Sequence, residues 1–379
     1  MRRLLSLAAL TACAAAAHAQ DPASEEHALS ANGVAGEIMD IAVDHCRRGE
    51  RQEALAMFDA IRAQLDPPPA ILQLILDMEA TGCDKAPVAS NGAMRVQVSG
   101  GWDSNVSQGI TARTLVLGSG DNSIALELDP SYRPRSSTFV QVSSDYSLAL
   151  PRYGASLQVA LGQRNNFEAP DFNLRTLSAA AAKEFDVGFG VLRGQLEASH
   201  VWLGERAYQH SESLSLQWLR QMPTGAWLGT FNSTAVQYIT QPLQNATLYD
   251  LGMLREWRID ASKSVNLGLS VQRDDAHSTR PGGDRLGFQV QGGAVMLAGG
   301  WRFQPQVSFT SWNSADVFAS GLLDVKRRNR LRQASLLAER PLGPNTTLSL
   351  EWRGRWADDT IVLYKYQAQS LSATLALRF

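Results

Sequence analysis

The segment Leu371-Ser372-Ala373-Thr374-Leu375-Ala376-Leu377-Arg378-Phe379 alternates between two faces. Leu371, Ala373, Leu375, Leu377 and Phe379 fall on one face, and Ser372, Thr374, Ala376 and Arg378 on the other. A period of two marks an extended strand, whose successive side chains point to opposite sides of a sheet. The same period recurs through most of the chain. Repeated strands of this kind, ending on an aromatic at Phe379, are the pattern of a bacterial outer-membrane barrel, in which alternate residues meet lipid. The barrel-assembly machinery and outer-membrane lipid are then its expected partners, with Phe379 the terminus that the machinery meets.

Period-two alternation marks strand candidates at 93–105, 137–150, 154–165, 174–186, 190–203, 208–222, 225–238, 246–258, 265–274, 284–296, 300–313, 328–341, 346–357 and 362–379. About fourteen strands is an even number, as single-chain bacterial barrels use. The expected fold is mainly β, a transmembrane antiparallel β-barrel with a small N-terminal α-helical domain. Connections such as Pro151-Arg152-Tyr153, Pro223-Thr224 and Ala298-Gly299 are tight, whereas 106–136, 166–173, 275–283 and 314–327 are longer and polar. Short and long connections alternate, as expected when one side is periplasmic and the other extracellular. Both barrel termini then belong to the periplasm.

The 379-residue chain carries a net charge of −2, so no long-range field argues for nucleic acid. After the first twenty residues no apolar run is long enough for a membrane helix. Arg2 and Arg3, the apolar run that follows and Ala17-His18-Ala19 read as a signal peptide over residues 1–19. Leu10-Thr11-Ala12-Cys13 offers the competing reading of a lipobox, with Cys13 lipidated. Cys46 and Cys83 remain in the mature chain, and an oxidising compartment permits a disulfide between them.

Residues 20–84 read as a periplasmic helical domain. Val34, Ile38, Ile41, Ala42 and His45 recur at helical spacing, as do Ala54, Leu55, Phe58, Ile61 and Leu65. Asp66-Pro67-Pro68-Pro69 stops the second run, because proline cannot continue a helix. Gly49, Ala54, Phe58 and Pro67 resemble the fixed positions of a tetratricopeptide repeat. Residues 85–92 form a linker, and 93–379 the barrel.

Charge patterning assigns the faces. Glu351, Arg353 and Arg355 alternate with Leu350, Trp352, Gly354 and Trp356. A basic residue facing hydrocarbon at the midplane costs about 2–4 kcal/mol, so the charged set faces the lumen. Arg193 and Glu197, and Arg302 with Gln304 and Gln306, follow the same rule. Gln158, Gln195 and Gln217 are further lumenal positions. Mixed-sign networks of this kind satisfy a polar interior without any catalytic role. Trp352, Trp356, Tyr364 and Tyr366 read as an aromatic girdle.

No histidine or cysteine shows metal-ligand spacing, and nothing selects a nucleophile with its base. Asp274-Asp275 with His277 falls in a long connection and reads as a solvated turn. The chain is therefore expected not to be an enzyme and to need no cofactor or metal.

Gly101-Trp102-Asp103-Ser104-Asn105-Val106 resembles the stretch that opens the barrel in surface lipoprotein assembly modulators, and the segment from Arg327 to Phe379 resembles their closing hairpins. The order of signal peptide, tetratricopeptide-like helices and barrel is similar too. This resemblance implies transfer or display of a lipoprotein or secreted protein at the cell surface, with the periplasmic helices docking the client. It also implies that Trp102, Asp103, Ser104 and Asn105 shape the rim of the first strand. The alternatives are an exopolysaccharide-export barrel and a passive porin.

Overall fold

The computed structural model describes residues 50–64, 92–117, 123–150, 153–260, 262–343 and 345–379, with positions 38, 39, 41–43, 45, 46, 75 and 78. The expected signal peptide, Cys13, Gly49, Pro67, Cys83 and the linker up to residue 91 lie outside them. The chain divides into a helical unit that ends at Asn91 and a barrel unit that runs from Gly92 to Phe379.

In the helical unit, α1 spans Arg51–Gln64. Glu53 in its first turn and Arg62 in its last complement the helix dipole. Ala54, Phe58 and Ile61 share one face and are fully buried, packed with Met39, Ala42, Cys46, Ile75 and Met78. In the preceding helical segment the expected apolar stripe is met in part: Ala42 is buried and Ile38 packs against the core. Ile41 is exposed, whereas Met39, Ala42 and Cys46 are buried. Cys46 is disulfide-bonded.

Among its described residues the barrel unit contains sixteen strands. They are β1 (Gly92–Asp103), β2 (Thr114–Leu117), β3 (Ile124–Glu127), β4 (Ser137–Leu150), β5 (Ala155–Asn166), β6 (Leu174–Asp186), β7 (Val191–Leu203) and β8 (Arg206–Met222). Then come β9 (Gly225–Tyr238), β10 (Ala246–Asp260), β11 (Lys263–Ala276), β12 (Arg285–Ala298), β13 (Trp301–Ala319), β14 (Leu323–Gly343), β15 (Thr346–Asp359) and β16 (Tyr366–Arg378). All except β2 and β3 form one closed barrel of neighbouring antiparallel strands, fourteen in number, and β1 closes it against β16. The seam runs from Arg95 opposite Arg378 to Asp103 opposite Ser370. Closure leaves no unpaired strand edge, which a lipid environment demands. β2 and β3 form a separate hairpin inside the connection between β1 and β4.

Turn chemistry explains one rim. Gly299 and Gly300 join β12 to β13 with φ of 58° and 76°, a conformation that suits a two-residue hairpin and disfavours residues with a Cβ. Pro305 lies within β13 and has no N–H to donate, and the β12 ladder skips Ala294 and Val295 opposite it.

Two expectations need correction. The segment 314–327 is not a long polar loop, because β13 and β14 extend through it as a hairpin that turns at residues 320–322. The last strand begins at Tyr366 rather than 362, since Val362–Tyr364 forms a 3-10 turn.

The exterior is apolar along register lines. Val98, Leu161, Leu177, Leu196, Leu251, Leu269, Val290, Leu336 and Leu371 are all exposed on it. Every tryptophan except Trp312 belongs to this outward face. Near the short-turn rim, Trp227, Trp257 and Trp301 gather with Arg255 and Arg340. Near the other rim stand Trp102, Trp202, Phe309 and Trp356.

Candidate functional site

The inward face carries the polar half of every strand. Arg193 donates to Gln195 at 3.2 Å, and Gln195 to Glu197 at 3.2 Å, a ladder down β7. Glu339 of β14 accepts from Arg302 at 3.4 Å and from Gln304 at 2.8 Å. Glu351 pairs with Arg353 along β15. Ser270 and Gln272 both donate to Asp250. Each network satisfies polar groups along one strand or across two neighbours, where the low local dielectric makes an unpaired group costly.

Arg355 differs. Its Nε is buried and has no hydrogen-bond partner among the described residues. Arg353 and Arg355 together line two lumenal cavities, of about 310 Å³ and 400 Å³. The smaller is walled by Asp103, Asn105, Arg164, Asn166 and Tyr366. The larger is walled by Gln289, Gln291, Gln304, Gln306 and Gln333. Gln304 and Gln306 were legible from alternation. Gln289, Gln291 and Gln333 were missed, although the Gln289-Val290-Gln291 spacing carries the same signal.

Of the four residues that resemble a family motif, three meet at one place. Asp103 points inward and pairs with Arg164 at 3.2 Å, while the Arg164 guanidinium lies 3.8 Å from the Phe139 ring centre. Asn105 is almost fully buried. Its Nδ2 donates to the carbonyls of Gly109 and Gln367, both at 2.9 Å, and its Oδ1 accepts from Gly109 N–H at 2.7 Å. Ser104 N–H donates to the Gln369 carbonyl, and Gln369 N–H returns a bond to Ser104 Oγ at 2.7 Å. Ser104 and Asn105 therefore clasp the long-loop end of the β1–β16 seam, while Asp103 ties β1 to β5. Trp102 lies on the opposite face, in an exterior groove with Leu336, Leu350, Trp352 and Leu371.

The outer mouth holds a cluster that alternation alone did not reveal. Asp274 is buried and accepts from Arg280 Nη2 at 2.8 Å and from Arg285 Nε at 2.8 Å. It is thus no part of a solvated turn, because Arg280 folds the β11–β12 connection back over it and also donates to the Gly283 carbonyl. Nearby, Asp359 accepts from Arg327 at 2.9 Å and from Asn329 at 3.0 Å. Arg327 lies 3.5 Å from the Tyr364 ring centre. Tyr364 and Tyr366 thus serve the mouth and the lumen rather than a lipid-facing girdle, whereas Trp352 and Trp356 do face outward. Two further loops share one clasp. Asn173 Oδ1 accepts from Asn166 N–H, and Asn245 Oδ1 from Tyr238 N–H, each at 2.7 Å after a Pro-x-x turn.

Neither a family model nor a curated protein sequence matches the chain. Solved structures similar to it include the Acinetobacter baumannii outer membrane protein Omp33, at 9% identity and a TM-score of 0.37, with 76% of this chain and 97% of that one covered. A bacterial polysaccharide outer membrane secretin gives 8% identity and a TM-score of 0.43, covering 77% and 99%. The translocator domain of the Neisseria meningitidis autotransporter NalP gives 13% identity and a TM-score of 0.32, covering 81% and 97%. The decisive observation is the barrel's own: a closed sheet, apolar outside and polar within. The chain is an outer-membrane β-barrel.

Proposed function

We propose that the barrel is a non-catalytic conduit for hydroxyl-rich, anionic solutes. One observation carries this reading: Arg353 and Arg355 border both lumenal cavities, and the larger has a wall of glutamines. Glutamine amides offer donors and acceptors together, which suits hydroxyl groups. Arginine grips carboxylate or phosphate, and basic rings in pores favour anions. Acidic saccharides combine both chemistries. The test is conductance of the purified protein in planar bilayers under a salt gradient. The expected reversal potential shows anion preference, and Arg355→Ser reduces it. Equal anion and cation permeation in the native protein sinks the reading.

A second reading is transfer of a lipoprotein or secreted protein that is docked by the periplasmic helices. The clasp made by Ser104 and Asn105 favours it, because a seam between first and last strands is where a barrel can open sideways. Ser99 Oγ and Thr374 Oγ1 lie 2.8 Å apart across that seam. A disulfide in Ser99→Cys/Thr374→Cys separates the two readings. It abolishes surface delivery of a client and leaves solute conductance unchanged.

A further inference from the structure

The outward face of β14 changes character along its length. From the membrane centre it runs Leu336, Ala334, Arg332, Arg330, Arg328, Lys326, and the last four are all exposed. Inward residues between them, Arg327 and Asn329, bind Asp359. Arg332 stands level with Phe309 of β13 and Trp356 of β15, aromatic residues on the lipid face near the long-loop rim. Arg330, Arg328 and Lys326 follow beyond that ring, each two residues apart and so separated by roughly 7 Å along the strand. This is the depth at which outer-leaflet headgroups begin.

Protein groups leave this column electrostatically open. Arg328 Nε donates to Asn313 Oδ1 at 3.1 Å. Arg330, Arg332 and Lys326 have no ion pair among the described residues. Asp358 stands opposite Arg330, but its carboxylate pairs with Lys365 Nζ at 3.2 Å. Asp324, near the hairpin tip, accepts from Gly321 N–H. Two outward arginines at the opposite rim, Arg255 and Arg340, behave otherwise. Arg255 lies 5.2 Å and 5.8 Å from the Trp227 and Trp257 rings and donates to Thr224, and Arg340 lies over Trp301. Those cations are stabilised by aromatic faces. The β14 column lacks such a shield and faces outward, so an anion supplied by the membrane fits it.

We infer that Arg328, Arg330 and Arg332, flanked by Lys326, seat the phosphate groups of an outer-leaflet lipid. The inference rests on the outer-membrane reading and is independent of what the lumen carries. Three planar guanidiniums on one face match phosphate oxygens bidentately. The neighbouring Phe309, Trp356 and Leu336 accept the acyl chains below.

The test uses the full chain folded in neutral detergent micelles and titrated with diphosphoryl lipid A, read by tryptophan fluorescence. The triple variant Arg328→Ser/Arg330→Ser/Arg332→Ser is expected to bind roughly a hundredfold more weakly, at about a fivefold loss per arginine. Arg340→Ser, at the opposite rim, is expected to bind as the native protein does. Equal binding by the triple variant, by the dephosphorylated lipid, or an equal response to inorganic phosphate alone overturns the site. Unheated gel mobility reports whether each variant has folded. If the triple variant does not fold, the single variant Arg330→Ser carries the same comparison. A native chain with no heat-dependent mobility sinks the barrel reading itself, whereas a folded barrel indifferent to phosphate sinks only the lipid site.

Discussion

Asp274 shows how much one carboxylate can decide. It is buried between Arg280 and Arg285, so removing it leaves two guanidiniums facing each other without an anion. Breaking a buried pair of this kind costs about 3–5 kcal/mol. Asp274→Ala is expected to lower the unfolding free energy of the barrel, read from urea titration in vesicles, by that amount, and Asp275→Ala to change it little, since the Asp275–Arg273 pair is more exposed. Glu168 makes a second prediction. Ser137 Oγ–H, Thr138 N–H and Thr138 Oγ1–H donate to its carboxylate. The Ser137 bond, then those from Thr138, hold its pKa below the ordinary glutamate value. A depressed folded pKa means that the contribution is complete above the unfolded value, about 4.3, and disappears as pH falls through the folded one. Hydrogen exchange at Thr138, corrected for its intrinsic pH dependence, should accelerate below about pH 4. In Glu168→Gln that acid-dependent step should vanish.

At the scale of the element, each strand is two surfaces back to back. On β14, Leu336 faces out and Ser335 and Gln333 face in. Leu336→Arg is expected to destabilise the barrel by about 2–4 kcal/mol, while Ser335→Arg leaves stability near native and alters conductance. Equal costs for the two variants, measured by urea unfolding in vesicles, would mean that the faces are assigned wrongly. The helical segment before α1 marks the limit of reading an element alone. Ile41 shares an apolar stripe with Ile38 and Ala42, yet it is exposed while Ala42 is buried and Met39 and Cys46 join the packed face. The stripe gives the inward side of the helix, and the partner it packs on sets where that side ends.

For the molecule as a whole, closure is the main expectation. The unheated protein should migrate in a detergent gel as a compact species and shift on boiling, with a β-dominated circular dichroism spectrum that survives until that shift. A period of two forces alternate residues onto opposite faces whatever else surrounds them, and fourteen such runs with turns between them leave few arrangements that satisfy backbone groups in lipid. The strands and their antiparallel closure were therefore legible from the chain. Contacts between residues far apart in sequence were not. The Asn105 bond to the Gln367 carbonyl spans 262 positions, and Asp359 finds Arg327 and Asn329 on the neighbouring strand, 32 and 30 positions away. Arg280 reaches Asp274 only because its loop folds inward. Alternation decides which side a residue faces; only register and loop path, set when the sheet closes, decide which partner waits there.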